Sequence, residues 1–154
     1  MRLKEFSKIE LNRKEISNHV KSYIECELKM CATYQALSEE LKHDLEEIEE
    51  QYRCINLSTL GGGISENTMV EVIAMQKEVV ESKIKDLEWR VRKIERGLTL
   101  LNEEQRKIVN YKVEGYLSHE NIIDELGYGR KRFYEMLYDI HFKIGVMLGV
   151  MPPT

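Results

Sequence analysis

Three cations stand in a row at Arg130-Lys131-Arg132, directly after Leu126-Gly127-Tyr128-Gly129. A glycine turn followed by a cationic helix start suits a duplex groove, because phosphate oxygens and guanine edges both accept hydrogen bonds from Arg and Lys. Cations in the first turn of a helix oppose its dipole, so helix stability does not put them there. Arg130 and Lys131 fall in that first turn, the part of a recognition helix that usually reaches base edges. Lys131, Tyr134, Glu135 and Tyr138 lie across the helix from its apolar stripe, and with Arg130 they are the candidate base-reading set. Glu135 can accept from a cytosine amino group or pair with Lys131 one helical turn earlier, and both readings stand. Arg132 points to a flank. With Ser118 and His119, at the start of the preceding short helix, it forms the candidate phosphate set.

Other reactive residues form no recognisable pattern. His19, His43, His119 and His141 are scattered, and none sits in a HExxH or paired-Cys context. Cys26, Cys31 and Cys54 have no CxxC spacing and are odd in number, so reduced thiols are expected rather than a disulfide framework. Gly61-Gly62-Gly63 is not followed by Gly-Lys-Ser/Thr and no strand precedes it, which argues against a phosphate loop. No catalytic residue, metal site or cofactor is expected, and the chain does not read as an enzyme.

The elements that must position the cations are helical. Apolar residues at Ile16, Val20, Ile24, Leu28, Cys31, Leu41, Leu45 and Ile48 recur in steps that place them on one face, and no Pro or Gly interrupts them. One long amphipathic helix is predicted over about residues 12–53. Leu60 to Ser65, with its glycine triplet, reads as a connection of about a dozen residues overall. A second helix is predicted over 68–101, with Thr68 and Glu71 as a capping box, or Ser65 or Asn67 as the cap. From Val80 its apolar spacing approaches a heptad seam. The two helices therefore predict an antiparallel hairpin or a coiled-coil dimer, and both bury the same stripes. Next, Asn102 with Gln105 caps a helix that stops at Gly115. Ser118 caps a short helix to Leu126. Gly127 can take the positive φ of a tight turn, with Tyr128 expected as its buried residue. Phe133, Leu137, Ile140, Ile144 and Met147 form the stripe that packs the last helix onto the two before it.

Composition agrees with an all-α chain. Of 154 residues only 2 are Pro and 32% are charged, which favours long helices over a sheet. No apolar run approaches the ~18 residues of a membrane span. Residues 1–8 alternate charge and carry no apolar signal segment, so a cytoplasmic protein is expected. The net charge of −4 excludes a strongly basic, nonspecific nucleic-acid binder. Residues 102–154 hold seven Lys+Arg against eight Asp+Glu, so one copy should bind DNA weakly at physiological salt.

Leu101-Asn102-Glu103-Glu104-Gln105-Arg106-Lys107-Ile108, continued by Ser118 to Gly127, resembles region 4 of sigma-70-type factors, the part that reads promoter DNA. The tail Phe133-Tyr134-Glu135-Met136-Leu137 and Lys143 to Gly149 looks like the ArpU-type phage regulators, related to the RinA-like group. The likeness covers about residues 66–149. It departs from the pattern at Ile123, where a small residue is usual, and at Gly129, where Ser or Thr usually caps. The resemblance implies a phage transcriptional regulator, acting as an activator of late packaging and lysis genes and contacting RNA polymerase.

The expected architecture is thus all-α: a long-helix stem over 1–101 and a C-terminal helix-turn-helix module over 102–154. The expected partners are double-stranded DNA, RNA polymerase and a second copy through the long helices. Two rivals share the local signals. One is a small-terminase-like DNA-recognition subunit of a phage packaging ring. The other is a helical interaction protein with no DNA binding, which the module's charge of −1 favours.

Overall fold

The computed structural model describes residues 16–58 and 64–151, with side-chain environments for 16–55 and 68–151. The described residues form five helices and no strand: α1 (Asn18–Ser58), α2 (Ile64–Thr99), α3 (Glu103–Val113), α4 (His119–Leu126) and α5 (Arg130–Met147). The predicted helix over 12–53 is α1, which starts later and runs further; residues 12–15 lie outside the described part. Ser17 opens it, its Oγ accepting from the Val20 amide at 3.2 Å.

The start predicted for the second helix is corrected. The α2 helix begins at Ile64, so Thr68 and Glu71 sit inside it and form no capping box. The connection is no longer than residues 59–63, not a dozen. Nothing from Ile64 onward resists helix. The C-terminus of α2 closes with tightened turns, Leu100 N–H to Gly97 O at 3.1 Å and Leu101 N–H to Leu98 O at 3.2 Å. Asn102 caps α3 at once through its bond with the Gln105 amide, which makes this junction short.

Contacts divide the chain into two compact units: Met1–Met30 with Lys93–Thr154, and Cys31–Arg92. This division differs from the expected boundary at residue 101, because side chains on the first turns of α1 and the last turns of α2 share a core with the three shorter helices. Within Cys31–Arg92 the two long helices are antiparallel. Arg90 lies over the Tyr34 ring at 5.6 Å, Lys42 pairs with Glu88 at 3.0 Å and Lys77 with Glu49 at 3.4 Å. Partners that rise in number on one helix fall on the other. Ile73 and Ile84 are buried there, while Trp89 stays exposed.

The other unit holds the larger core. Ile24, Ile94, Ile108, Ile122, Phe133 and Ile144 have no exposed surface, and each contributes roughly 1.5–3 kcal/mol by leaving water. The predicted α5 stripe is buried at Phe133, Leu137, Ile140 and Ile144, with Met147 only half-buried. The α3 helix packs against both α4 and α5. Two glycines permit close approaches: a Cβ at Gly97 would sit 3.3 Å from Ile144 Cγ1, and one at Gly145 would sit 3.0 Å from Ile24 Cδ1.

Candidate nucleic-acid interface

The candidate residues all lie in the unit that contains α3, α4 and α5, and local sequence chemistry sets each element's start. Asn102 Oδ1 accepts from the Gln105 amide at 2.8 Å, and Gln105 Oε1 accepts from the Asn102 amide at 3.2 Å, a complete capping box. Gln105 is buried, and its Oε1 also accepts from Lys143 Nζ at 3.3 Å, which ties the start of α3 to α5. Ser118 Oγ caps α4 by accepting from the Asn121 amide at 3.3 Å. Its hydroxyl proton is left to donate.

The turn from α4 to α5 needs a left-handed residue, and Gly127 supplies it at φ 66° and ψ 23°, with its N–H on Ile123 O at 2.9 Å. Tyr128, expected to be buried, is only half-buried; the Arg132 guanidinium lies 5.1 Å above its ring and shares its surface. Gly129 is extended and offers no side-chain cap to α5. The amides of the first turn of α5 therefore have no side-chain acceptor, beside the three cations.

The cations differ in their engagement. Arg130 Nη2 donates to Glu120 Oε1 on α4, yet its side chain is 68% exposed. Arg132 Nη2 donates to Glu104 Oε2 on α3 at 2.8 Å and is also largely exposed. Lys131 is exposed, and among the described residues it has no hydrogen bond or ion pair. No ion pair joins Lys131 to Glu135, which is likewise exposed. Tyr134 is partly exposed and packs edge-on against Phe133 at 5.3 Å and His119 at 5.9 Å. Tyr138 is half-buried and stacks on Phe142 at 6.3 Å. Arg130, Lys131, Tyr134 and Glu135 are therefore the solvent-facing members of the candidate set, and Tyr138 serves packing as well.

A polar network behind this surface escaped the sequence reading. Glu25 Oε1 on α1 accepts from Lys112 Nζ on α3 and lies 3.1 Å from Nε2 of buried His141 on α5. Lys112 Nζ also lies 2.8 Å from His119 Nε2 on α4. The contact with His141, followed by that with Lys112, outweighs burial and holds the Glu25 carboxyl at about 2. Burial, with the Lys112 charge adding to it, pushes the His119 pKa below its ordinary value. A neutral His119 then accepts a hydrogen bond from Lys112 Nζ at Nε2 and carries its own proton on Nδ1. As a phosphate contact it offers one neutral N–H rather than a charge. The network joins residues 87 and 116 positions apart, and no periodicity in the chain announces such pairs.

Compared with known proteins, the chain matches no family model, no curated protein and no solved structure. Among the described residues no helix is long and apolar enough to cross a membrane, and no group of three or more His, Cys, Asp or Glu is placed to hold a metal ion.

Proposed function

We propose that the chain is a sequence-specific DNA-binding transcriptional regulator whose α4–turn–α5 segment is a helix-turn-helix module with α5 as the recognition helix. The observation that carries this reading is the exposed first turn of α5. Arg130 and Lys131 project from it after a left-handed glycine turn, and no side chain caps it. In this reading Arg130, Lys131, Tyr134 and Glu135 face base edges, with Tyr138 at the margin, while Ser118, His119 and Arg132 meet phosphate. The resemblance to sigma-70 region 4 and to ArpU-type regulators extends the proposal to activation of phage late genes, with RNA polymerase as a further partner.

Selection of bound duplexes from a random pool, followed by a salt-titrated shift assay, tests it. Arg130→Ala and Lys131→Ala should each cost about 1–3 kcal/mol in binding and relax specificity at one position. Binding unchanged in both variants removes the assignment. A second reading, a helical interaction protein without DNA binding, draws support from the ion pairs Arg130–Glu120 and Arg132–Glu104, which occupy two of the three cations. It predicts that no duplex is enriched from the pool.

A further inference from the structure

The long-helix unit, Cys31–Arg92, carries an apolar surface that its own two helices leave uncovered. On the first half of α2, Ile73 is buried and Val80 half-buried, while Met69, Val72, Met75 and Val79 are 55, 47, 66 and 52% exposed. Their spacing puts them on one stripe beside the covered one. The apolar face of this half-helix is therefore wider than one partner helix can bury. Along the stripe run two adjoining grooves of about 940 and 590 Å³, which share Glu47, Gln51, Val72 and Gln76. Two methionines lie on this surface, and their unbranched side chains can remould to an incoming shape. Contiguous exposed apolar surface of this kind marks a protein-binding face.

Charge says which partner fits. The α1 rim carries Asp44, Glu47 and Glu50, and among the described residues no Lys or Arg lines either groove. Residues 31–92 hold thirteen Asp+Glu against seven Lys+Arg, whereas the rest of the chain holds fourteen against sixteen. A second copy seated on this stripe would bring two acidic rims together, and like charges oppose such docking. An apolar floor with an acidic rim is complementary to an amphipathic helix whose apolar stripe is bordered by Lys and Arg. We infer that this groove docks a basic amphipathic helix of another protein. The inference does not rest on DNA binding and is tested separately from it.

Fluorescence anisotropy with the full chain provides the test. The probe is a labelled helical peptide of about 20 residues with Leu at positions i, i+3, i+4 and i+7, bordered by Lys and Arg. A control peptide keeps the Leu stripe and carries Glu at the flanking positions. The basic peptide should bind saturably and at least about tenfold more tightly than its acidic twin. Val72→Ser with Met75→Ser, and separately Glu47→Gln with Glu50→Gln, should each weaken it about tenfold. Unchanged helical circular dichroism shows that the variants still fold. Equal binding of the two peptides, or basic-peptide affinity indifferent to the Val72 and Met75 changes, overturns the proposal. So does sedimentation of the free chain as a dimer that Met75→Ser dissolves, because a second copy would then be the occupant.

Discussion

At the scale of single residues, the Glu25 carboxylate is the group whose protonation matters most. Its folded pKa of about 2 lies below the ordinary 4.5, so its stabilisation is fully present above 4.5 and is lost as pH falls toward 2. The His119 pKa is also depressed, so folding favours its neutral form, and that contribution fades as pH drops below the ordinary 6.5. Both groups therefore make the protein acid-sensitive. With its side chain 29% exposed, Glu25 should contribute only about 1–2 kcal/mol after solvent screening. Urea unfolding of Glu25→Gln should show a deficit of that size near neutrality which shrinks between about pH 5 and pH 2. A deficit independent of pH would show that the carboxylate is not the origin. None of this was legible in the sequence, where Glu25, Lys112 and His141 are ordinary residues on three helices. The cations at 130–132 were legible as a cluster, but their carboxylate partners were not. Only the packing of α3, α4 and α5 brings Glu120 to Arg130 and Glu104 to Arg132.

At the scale of elements, helix starts and turns were the most legible features, because capping chemistry is local. Asn102 with Gln105, Ser118, and Gly127 each do what their residue types predict. The start of α2 was misplaced because several adjacent residues could cap it and the glycine triplet masked how early helix can begin. The α3–α4 loop also held a surprise. A Cβ on Gly115 would sit 2.9 Å from Tyr111 O, and Tyr116 adopts φ 50° and is 78% exposed. The loop thus needs glycine for space at one position, while the left-handed backbone is carried by the next residue. Gly115→Ala should destabilise by about 1–3 kcal/mol through backbone displacement. Tyr116→Gly should be neutral or slightly stabilising, since it relieves roughly 1 kcal/mol of left-handed strain. Gly127→Ala has open space around its Cβ but φ +66°, so it should cost about 1 kcal/mol. Thermal denaturation of the three variants checks the ranking, and a Gly115→Ala variant as stable as the parent would contradict the steric reading.

At the scale of the molecule, charge is unevenly shared: residues 31–92 are strongly acidic, and the rest is slightly basic. An overall −4 therefore conceals a surface less hostile to DNA than the total implies. The exposed cations of the proposed recognition helix are few, so binding should depend on salt with a log–log slope of only about −3. Shift assays between low and moderate salt measure this directly; a slope steeper than about −6 would mean that the phosphate contacts extend well beyond Arg130, Lys131 and Arg132. The compact unit that holds these cations is also assembled from distant stretches of chain. A fragment cut at residue 102 would lack Glu25 and Ile24, leaving Lys112 without its counter-ion, His141 without its carboxylate contact and the α5 surface at Gly145 without its cover. The same discontinuity governs biosynthesis. Glu25 leaves the ribosome long before His141 is translated, so the Glu25 carboxylate must wait in water through most of elongation, and this unit closes only after α5 has emerged.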